Sequence, residues 1–270
     1  MTSEQQDRIR RSRLLLGNPY AYLADDDEYE AEFPDTPLPE ARTSAEPPIS
    51  VEFLLQGKKQ GAGFTRAEIE EIARELHVTL WERRDDHATP LDVVDPSKAL
   101  TLLGFEVLED PLLGDVGVNV GVAGLLDRDH FRVSISPRFP AELQRFTLAH
   151  ELGHVVLHQG TGLHRDRALR GSLVSSPSSP EETEANFFAA AFLMPAKLLR
   201  AEFVKRFGTS RFVLSDATAF ALGDSSSSAP LPRRLARAQH FGGEHFVSLA
   251  RHFKVSESAM GIRLEELNLV

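Results

Sequence analysis

The segment FTLAHELGHVVL, residues 146–157, is almost wholly apolar, yet it carries two histidines and a glutamate. A helix that is apolar on all sides is buried, and imidazoles and carboxylates are costly to bury unless they are paired or bound to a metal. His150 and His154 are four residues apart, so their side chains lie on one face of the helix, one turn from each other. The segment therefore predicts a buried helix that holds a metal ion.

Glu151 follows the first histidine and completes an H-E-x-x-H motif. In peptidases with this motif the histidines bind zinc and the glutamate acts as general base toward a water molecule. The implied reaction is peptide hydrolysis, in which Glu151 takes a proton from the water and passes it to the leaving amine. Gly153, inside the motif, costs about 1 kcal/mol of helix stability relative to alanine, which indicates close approach by another backbone.

Composition narrows the class of protein. The chain has 270 residues, a formal net charge of −10 and no cysteine. The lack of cysteine excludes disulfides and thiolate ligands and is typical of a reducing compartment. No signal peptide is evident, and no stretch approaches the roughly 20 apolar residues that span a bilayer. We expect a soluble cytoplasmic protein that avoids membranes and nucleic acid and favours basic partners.

Three regions are expected along the chain. Residues 1–48 are acidic and proline-rich, which predicts a disordered tail; its basic RIRRSR run is either solvated or a partner-binding segment. Residues 49–208 form the expected metallopeptidase domain. Residues 209–270 combine a serine- and proline-rich linker with two short helices that have helix-turn-helix spacing and are separated at KVS. Ser256 is expected to cap the second of these helices.

The segments before the histidine helix predict an α+β fold. Thr65 and Asp95 are expected to cap two helices, and residues 106–110, 120–126 and 131–137 have the composition of strands. The turn LDRDH should join the last two strands as a hairpin. We expect a compact core in which the active-site helix packs on a small antiparallel sheet, followed by a helical C-terminal region.

A catalytic zinc takes three protein ligands and leaves a fourth position open. His158 continues the series of histidines, but eight residues place it about 12 Å from His150 along the helix axis, which favours an outer or surface position. The next buried helix, EETEANFFAAAFLMP, offers Glu182 with Asn186 one turn later on the same face. An asparagine at that spacing can orient a ligating glutamate by a hydrogen bond.

The same glutamate also has a purely structural interpretation. Ser179, Pro180 and Glu182 match a helix capping box, in which the glutamate would bond back to the cap residue. Glu181 and Glu184 are further carboxylates in the same stretch. Spacing alone leaves these alternatives open.

The group that would stabilise the oxyanion is not assigned by the sequence. All three tyrosines lie in the N-terminal tail. His164, His240 and His245 remain as candidates, and each is better explained as a surface histidine.

The blocks RFTLAHELGHVVLH and EETEANFFAAAFLMP closely resemble the motifs of the ImmA/IrrE family of metallo-endopeptidases, and the ending FKVSESAMGIRLEEL is similar to that family's C-terminal pattern. The resemblance covers about residues 51–270 and is strongest over 145–195. It implies a zincin-like core, although imidazole and carboxylate ligands also accept manganese or iron. It further implies a zinc site with its general base: ligands His150, His154 and Glu182, and base Glu151.

Resemblance and charge together indicate a substrate class. Members of this family cleave helix-turn-helix repressors, and an acidic chain attracts basic proteins of that kind. We expect a site-specific endopeptidase that cuts such a repressor and derepresses stress or mobile-element genes. The alternatives are a non-enzymatic interaction module and a DNA-binding regulator or antitoxin with a structural metal. In the last C-terminal helix, Glu257, Glu265 and Glu266 offset Arg263 and make a poor phosphate-binding surface.

Overall fold

The computed structural model describes residues 63–84, 89–113, 122–158, 163–167, 179–223 and 229–270, with the backbone alone for 163–167. The predicted tail, residues 1–48, lies outside the described residues. Within them, no helix is long and apolar enough to cross a membrane.

The described elements follow one another as helices and short strands. In chain order they are α1 (Arg66–Glu82), α2 (Pro96–Leu102), β1 (Glu106–Glu109), β2 (Val122–Asp127), β3 (Arg132–Ile135), α3 (Ala141–Leu157), β4 (Leu163–Arg167), α4 (Pro180–Leu193), α5 (Ala196–Phe207), α6 (Asp216–Leu222), α7 (Leu231–Arg237), β5 (His240–Phe241), β6 (Glu244–His245), α8 (Leu249–Phe253) and α9 (Glu257–Glu266). The α+β class with a helical C-terminal region is thus confirmed.

The predicted helix caps are confirmed. Thr65 and Glu68 form a reciprocal capping box at α1, and the Asp95 side chain accepts hydrogen bonds from the second and third residues of α2. Ser256 caps α9 through the backbone N–H of Ala259. Each cap satisfies an N–H group that the helix itself leaves without an acceptor.

The larger sheet has the strand order β1-β3-β2-β4. Strands β2 and β3 form the predicted antiparallel hairpin, and β4 pairs antiparallel with β2. The expectation of a wholly antiparallel sheet is corrected by β1, which runs parallel to β3. The hairpin causes this, because the chain from β1 to β3 includes all of β2 and acts as the crossover that a parallel pair requires.

Helix α3 lies at the centre of the molecule, and every residue from Phe146 to Leu157 is buried. This confirms the buried helix predicted from its apolar sequence. In its second turn, the Arg145 guanidinium donates a hydrogen bond to the carbonyl of Val94, two residues before α2 begins. The same apolar core continues into the C-terminal helices, which contribute residues such as Met260 and Leu264.

Candidate metal centre

Helices α3 and α4 cross at Gly153. A Cβ atom there would lie 3.1 Å from both the Cα and the carbonyl oxygen of Ala185 and 3.3 Å from the Cβ of Phe188. The missing side chain therefore lets the backbone of α4 approach α3, as the cost of a glycine inside the helix predicted. This crossing brings the first turns of α4 over the histidine pair of α3.

Three predicted site residues meet where the helices cross. His150 Nε2 and His154 Nε2 are 3.0 Å apart. Glu182 places Oε2 3.3 Å from His150 Nε2 and Oε1 3.5 Å from His154 Nε2. The three ligand atoms all lie within 4.8 Å of one another, and both histidines are buried. This group could hold a metal ion.

The first turn of α4 serves two purposes. Ser179 accepts a hydrogen bond from the Glu182 backbone N–H at 3.2 Å, and Pro180 occupies the first helical position. Half of the predicted capping box is therefore present, while the Glu182 carboxylate faces the two histidines. Glu181 is exposed, and Glu184 has different partners, described below.

Each histidine has a further contact on its Nδ1 atom. His150 Nδ1 lies 3.0 Å from Asn186 Oδ1, which accepts its hydrogen. The sequence pointed to Glu182 as the partner of Asn186, and the structure places the oxygen of this amide at His150. On the neighbouring ring, His154 Nδ1 lies 3.0 Å from Nδ1 of His158.

His158 is the C-cap residue of α3 and lies in the outer part of the site, as its distance along the helix required. Its Nε2 lies 3.1 Å from Glu184 Oε2. Burial lowers the pKa of the His158 imidazole, against the opposing effect of the hydrogen bond and charge of Glu184. This direction favours the neutral ring, in which one nitrogen donates and the other accepts.

Glu151 is fully buried between α3 and strand β2. The contact is made at Gly124, where a Cβ atom would lie 2.9 Å from Glu151 Oε1 and 2.5 Å from Thr147 Cγ2. Only a glycine lets the strand lie so close to this helical face. The strand therefore limits where the Glu151 carboxylate can go.

Arg128 is a site neighbour that the sequence analysis missed. It lies in the turn between β2 and β3, and its guanidinium donates a hydrogen bond to the His154 carbonyl. Burial lowers the pKa of Arg128, and the negative charge of Glu151 counteracts that effect. An arginine between two aspartates in LDRDH was the one available signal, and such a turn is also what a solvated loop contains.

The histidines considered as oxyanion donors are placed elsewhere in the chain. His240 and His245 face each other across the β5–β6 pair, with ring centroids 5.9 Å apart. His164 lies on β4, where the side chains are outside the described part of the structure.

Comparison with known proteins relates the segment that contains this site to a peptidase family. Residues 117–213 match a peptidase family described as the IrrE N-terminal-like domain. This segment belongs to the ImmA/IrrE family of metallopeptidases. It contains α3, α4 and all of the residues at their crossing, so the resemblance noted in the two sequence blocks is confirmed there.

A curated relative matches over a similar length. The radiation response metalloprotease IrrE of Deinococcus radiodurans is 37% identical over 95 residues, which are 34% of this chain. The match spans 28% of that relative's length. The similarity to this relative is therefore confined to about a third of the chain.

Proposed function

We propose that this chain is a zinc-dependent, site-specific endopeptidase. The observation that carries the proposal is the convergence of two imidazoles and one carboxylate beside a buried glutamate on the same helix. Two ligands bonded to a tetrahedral zinc at the usual lengths lie about 3.3 Å apart. His150 Nε2 and His154 Nε2 are 3.0 Å apart, and they lie 3.3 Å from Oε2 and 3.5 Å from Oε1 of Glu182 respectively, which supports their fit to zinc.

In this proposal the ligands and the general base are different residues. His150, His154 and Glu182 would hold the ion, and zinc supplies a water nucleophile near neutral pH and polarises a carbonyl. Glu151 would take the proton from the attacking water and hand it to the leaving amine nitrogen, so that the peptide bond breaks into a carboxylic acid and an amine. Gly124 keeps this carboxylate between the strand and the helix.

We infer that the substrate is a basic, DNA-binding repressor of the helix-turn-helix class. The net charge of −10 supports attraction to basic proteins. A relative named as a radiation response metalloprotease supports a role in stress. Cleavage would fall in an exposed linker, since proteolysis requires flexible segments, and would release the genes that the repressor silences.

The burial of Arg263 argues against the second candidate, a DNA-binding regulator with a structural metal. This residue was the one basic group on the presumed reading helix. Its side chain is 1% exposed and bonds to Glu70, Glu266 and the Met194 carbonyl. The Arg263 guanidinium is therefore not available to contact a DNA phosphate. Bracing of the peptidase core is the role that these contacts support.

The ligand set is tested by metal analysis. Wild type should bind one zinc per chain, and Glu182→Ala should lose it because only two protein ligands remain. Glu181→Ala removes an exposed carboxylate one residue away and should keep the metal. Full retention in Glu182→Ala would reassign the third ligand to another carboxylate or to His164.

The activity is tested with Glu151→Gln, which keeps the shape and removes the base. We expect full metal content, an unchanged fold and a loss of cleavage of 10²-fold or more. Cells with this variant should accumulate the intact repressor under inducing conditions. Free N-termini are compared across the proteome in wild type and variant; absence of any DNA-binding protein among the cut species would refute the substrate, and equal cleavage would refute the mechanism.

A further inference from the structure

A chain of hydrogen bonds leads away from the metal centre through side chains that the proposed reaction does not use. His154 Nδ1 is 3.0 Å from His158 Nδ1, and His158 Nε2 is 3.1 Å from Glu184 Oε2. The other oxygen of Glu184 accepts from the backbone N–H groups of Gly63 and Phe64, at 3.1 and 3.2 Å. Three parts of the molecule are joined: the end of α3, the first turns of α4 and the residues that precede α1.

The directions of these bonds follow from what each group can do. An ionised carboxylate only accepts, so His158 Nε2 must donate to Glu184. A metal on Nε2 of His154, as proposed above, leaves the hydrogen of that ring on Nδ1, so His154 Nδ1 donates to His158 Nδ1, which is then the acceptor. The lone pair of His154 is thereby placed on Nε2, the atom that faces His150 and Glu182.

We propose that His158 and Glu184 are positioning residues that fix the tautomer and ring orientation of His154 for metal binding. The proposal rests on the proposed function, in which His154 is a ligand. Outer hydrogen bonds of this kind orient a ligating histidine and raise its basicity, and their loss weakens metal binding by about 10–100-fold.

The two histidine ligands differ in what stands behind them. His150 bonds to the neutral amide of Asn186. His154 instead bonds to the His158 ring, which bonds in turn to the buried Glu184 carboxylate. The same carboxylate anchors the chain just before α1. The metal affinity of this centre should therefore depend on the position of Gly63 and Phe64, which precede α1.

The experiment measures zinc affinity in the full chain, by competition with a chromophoric chelator. Glu184→Gln should weaken binding about 10-fold or more, because an amide has one acceptor oxygen and its NH2 group opposes the donors around it. His158→Phe should have a similar effect, since the N–H of His154 then lacks its acceptor. The double variant should be no weaker than the worse single variant, because both residues act through one ring.

Glu181→Gln is the matched control. It removes the same charge from the same turn of α4 at an exposed position, and it should change zinc affinity by less than twofold. If Glu184→Gln and His158→Phe bind zinc as tightly as this control, the relay is wrong. If wild type binds no zinc, or His154→Ala still binds it, the ligand assignment itself is wrong, and the relay fails with it.

A second readout needs no variant and so does not depend on folding of one. Long-range nitrogen–proton NMR correlations distinguish the two tautomers of each histidine. In wild type, His158 should carry its hydrogen on Nε2 and His154 on Nδ1. A proton on Nδ1 of His158 with a bare Nε2 would overturn the proposal whatever the affinities are.

Discussion

Two buried polar clusters differ in where their positive charge comes from. Around Arg263 the chain supplies the cation itself: Nη2 is 2.5 Å from Glu70, Nη1 is 3.3 Å from Glu266, and Nε donates to the Met194 carbonyl. At the α3–α4 crossing, imidazole and carboxylate acceptors face one another instead. The Nε2 atoms of the two histidines lie 3.0 Å apart there, and the Glu182 carboxylate oxygens lie 3.3 and 3.5 Å from them.

This difference separates a structural cluster from a binding site. Lone pairs and a carboxylate brought together away from water repel one another, and a shared cation removes that cost. The Arg263 cluster is complete without any ligand, so its contribution is to stability. In the proposed site the imidazoles and the carboxylate of α3 and α4 are stabilised by a bound cation, so the two clusters should respond differently to the same experiments.

The largest effect is expected at the Arg263 cluster. Arg263→Ala leaves Glu70 without its closest cation and opens a cavity, which should lower the free energy of unfolding by about 3–5 kcal/mol. Zinc affinity of the folded variant should match wild type. Denaturant unfolding measures the first and chelator competition the second.

Arg251→Ala, an exposed arginine on the neighbouring helix α8, is the matched control and should cost less than about 0.5 kcal/mol. A variant of Arg263 that lost zinc affinity along with stability would show that the two clusters are not independent.

A smaller effect, on activity, is expected at Gly124. A Cβ there would meet Thr147 Cγ2 at 2.5 Å and Glu151 Oε1 at 2.9 Å, so Gly124→Ala must displace one or both side chains. A displacement of about 1 Å at the base is expected to cost about 10²-fold in cleavage rate, with zinc still bound.

The double variant Gly124→Ala, Thr147→Ser separates packing from positioning. Removing the threonine methyl relieves the closer contact and should recover stability measured by thermal unfolding, while the contact with Glu151 and the loss of activity remain. Recovery of both would mean that Gly124 serves packing alone.

The elements that the sequence predicted well are those set by neighbours in the chain. Thr65, Asp95 and Ser256 cap helices through N–H groups two or three residues away, and the β2–β3 hairpin is closed by its own turn. The spacing of His150 and His154 is likewise a property of one helix. Such local patterns can be seen in the sequence before any tertiary contact is known.

The remainder depends on contacts between distant segments. The parallel pairing of β1 depends on the path of the intervening chain. The sequence did not distinguish Glu184 from the neighbouring carboxylates, because its partners are His158 and two backbone groups 120 and 121 residues earlier. Asn186 has the spacing to bond to Glu182, and its contact with His150 depends on how the two helices pack against each other. A sequence pattern cannot supply that packing.

The smallest effect sharpens the comparison with a third polar group, the half-buried His77 on α1. Its Nε2 donates to the Phe192 carbonyl at 2.9 Å, and its ring stacks on Phe192 with centroids 4.6 Å apart. Burial lowers the pKa of His77 from 6.5 to about 4, against the raising effect of that hydrogen bond. Here a backbone carbonyl and an aromatic ring hold one half-buried imidazole in its neutral form, and neither a metal nor a carboxylate is required.

The sign of the pH effect follows from the lowered pKa. Below about pH 6.5 His77 is protonated in the unfolded chain, whereas in the folded chain it stays neutral down to about pH 4. The free energy of unfolding therefore falls as the pH drops through that window. At pH 5 this amounts to about 2 kcal/mol. His77→Gln, compared with wild type by denaturant unfolding at pH 7 and pH 5 in the presence of a chelator, should lose that part of the pH dependence. Adding zinc should leave this difference in pH dependence between the two proteins unchanged, because the partner of His77 is a backbone carbonyl and not the metal centre. A difference that vanished with zinc would instead connect His77 to the metal centre.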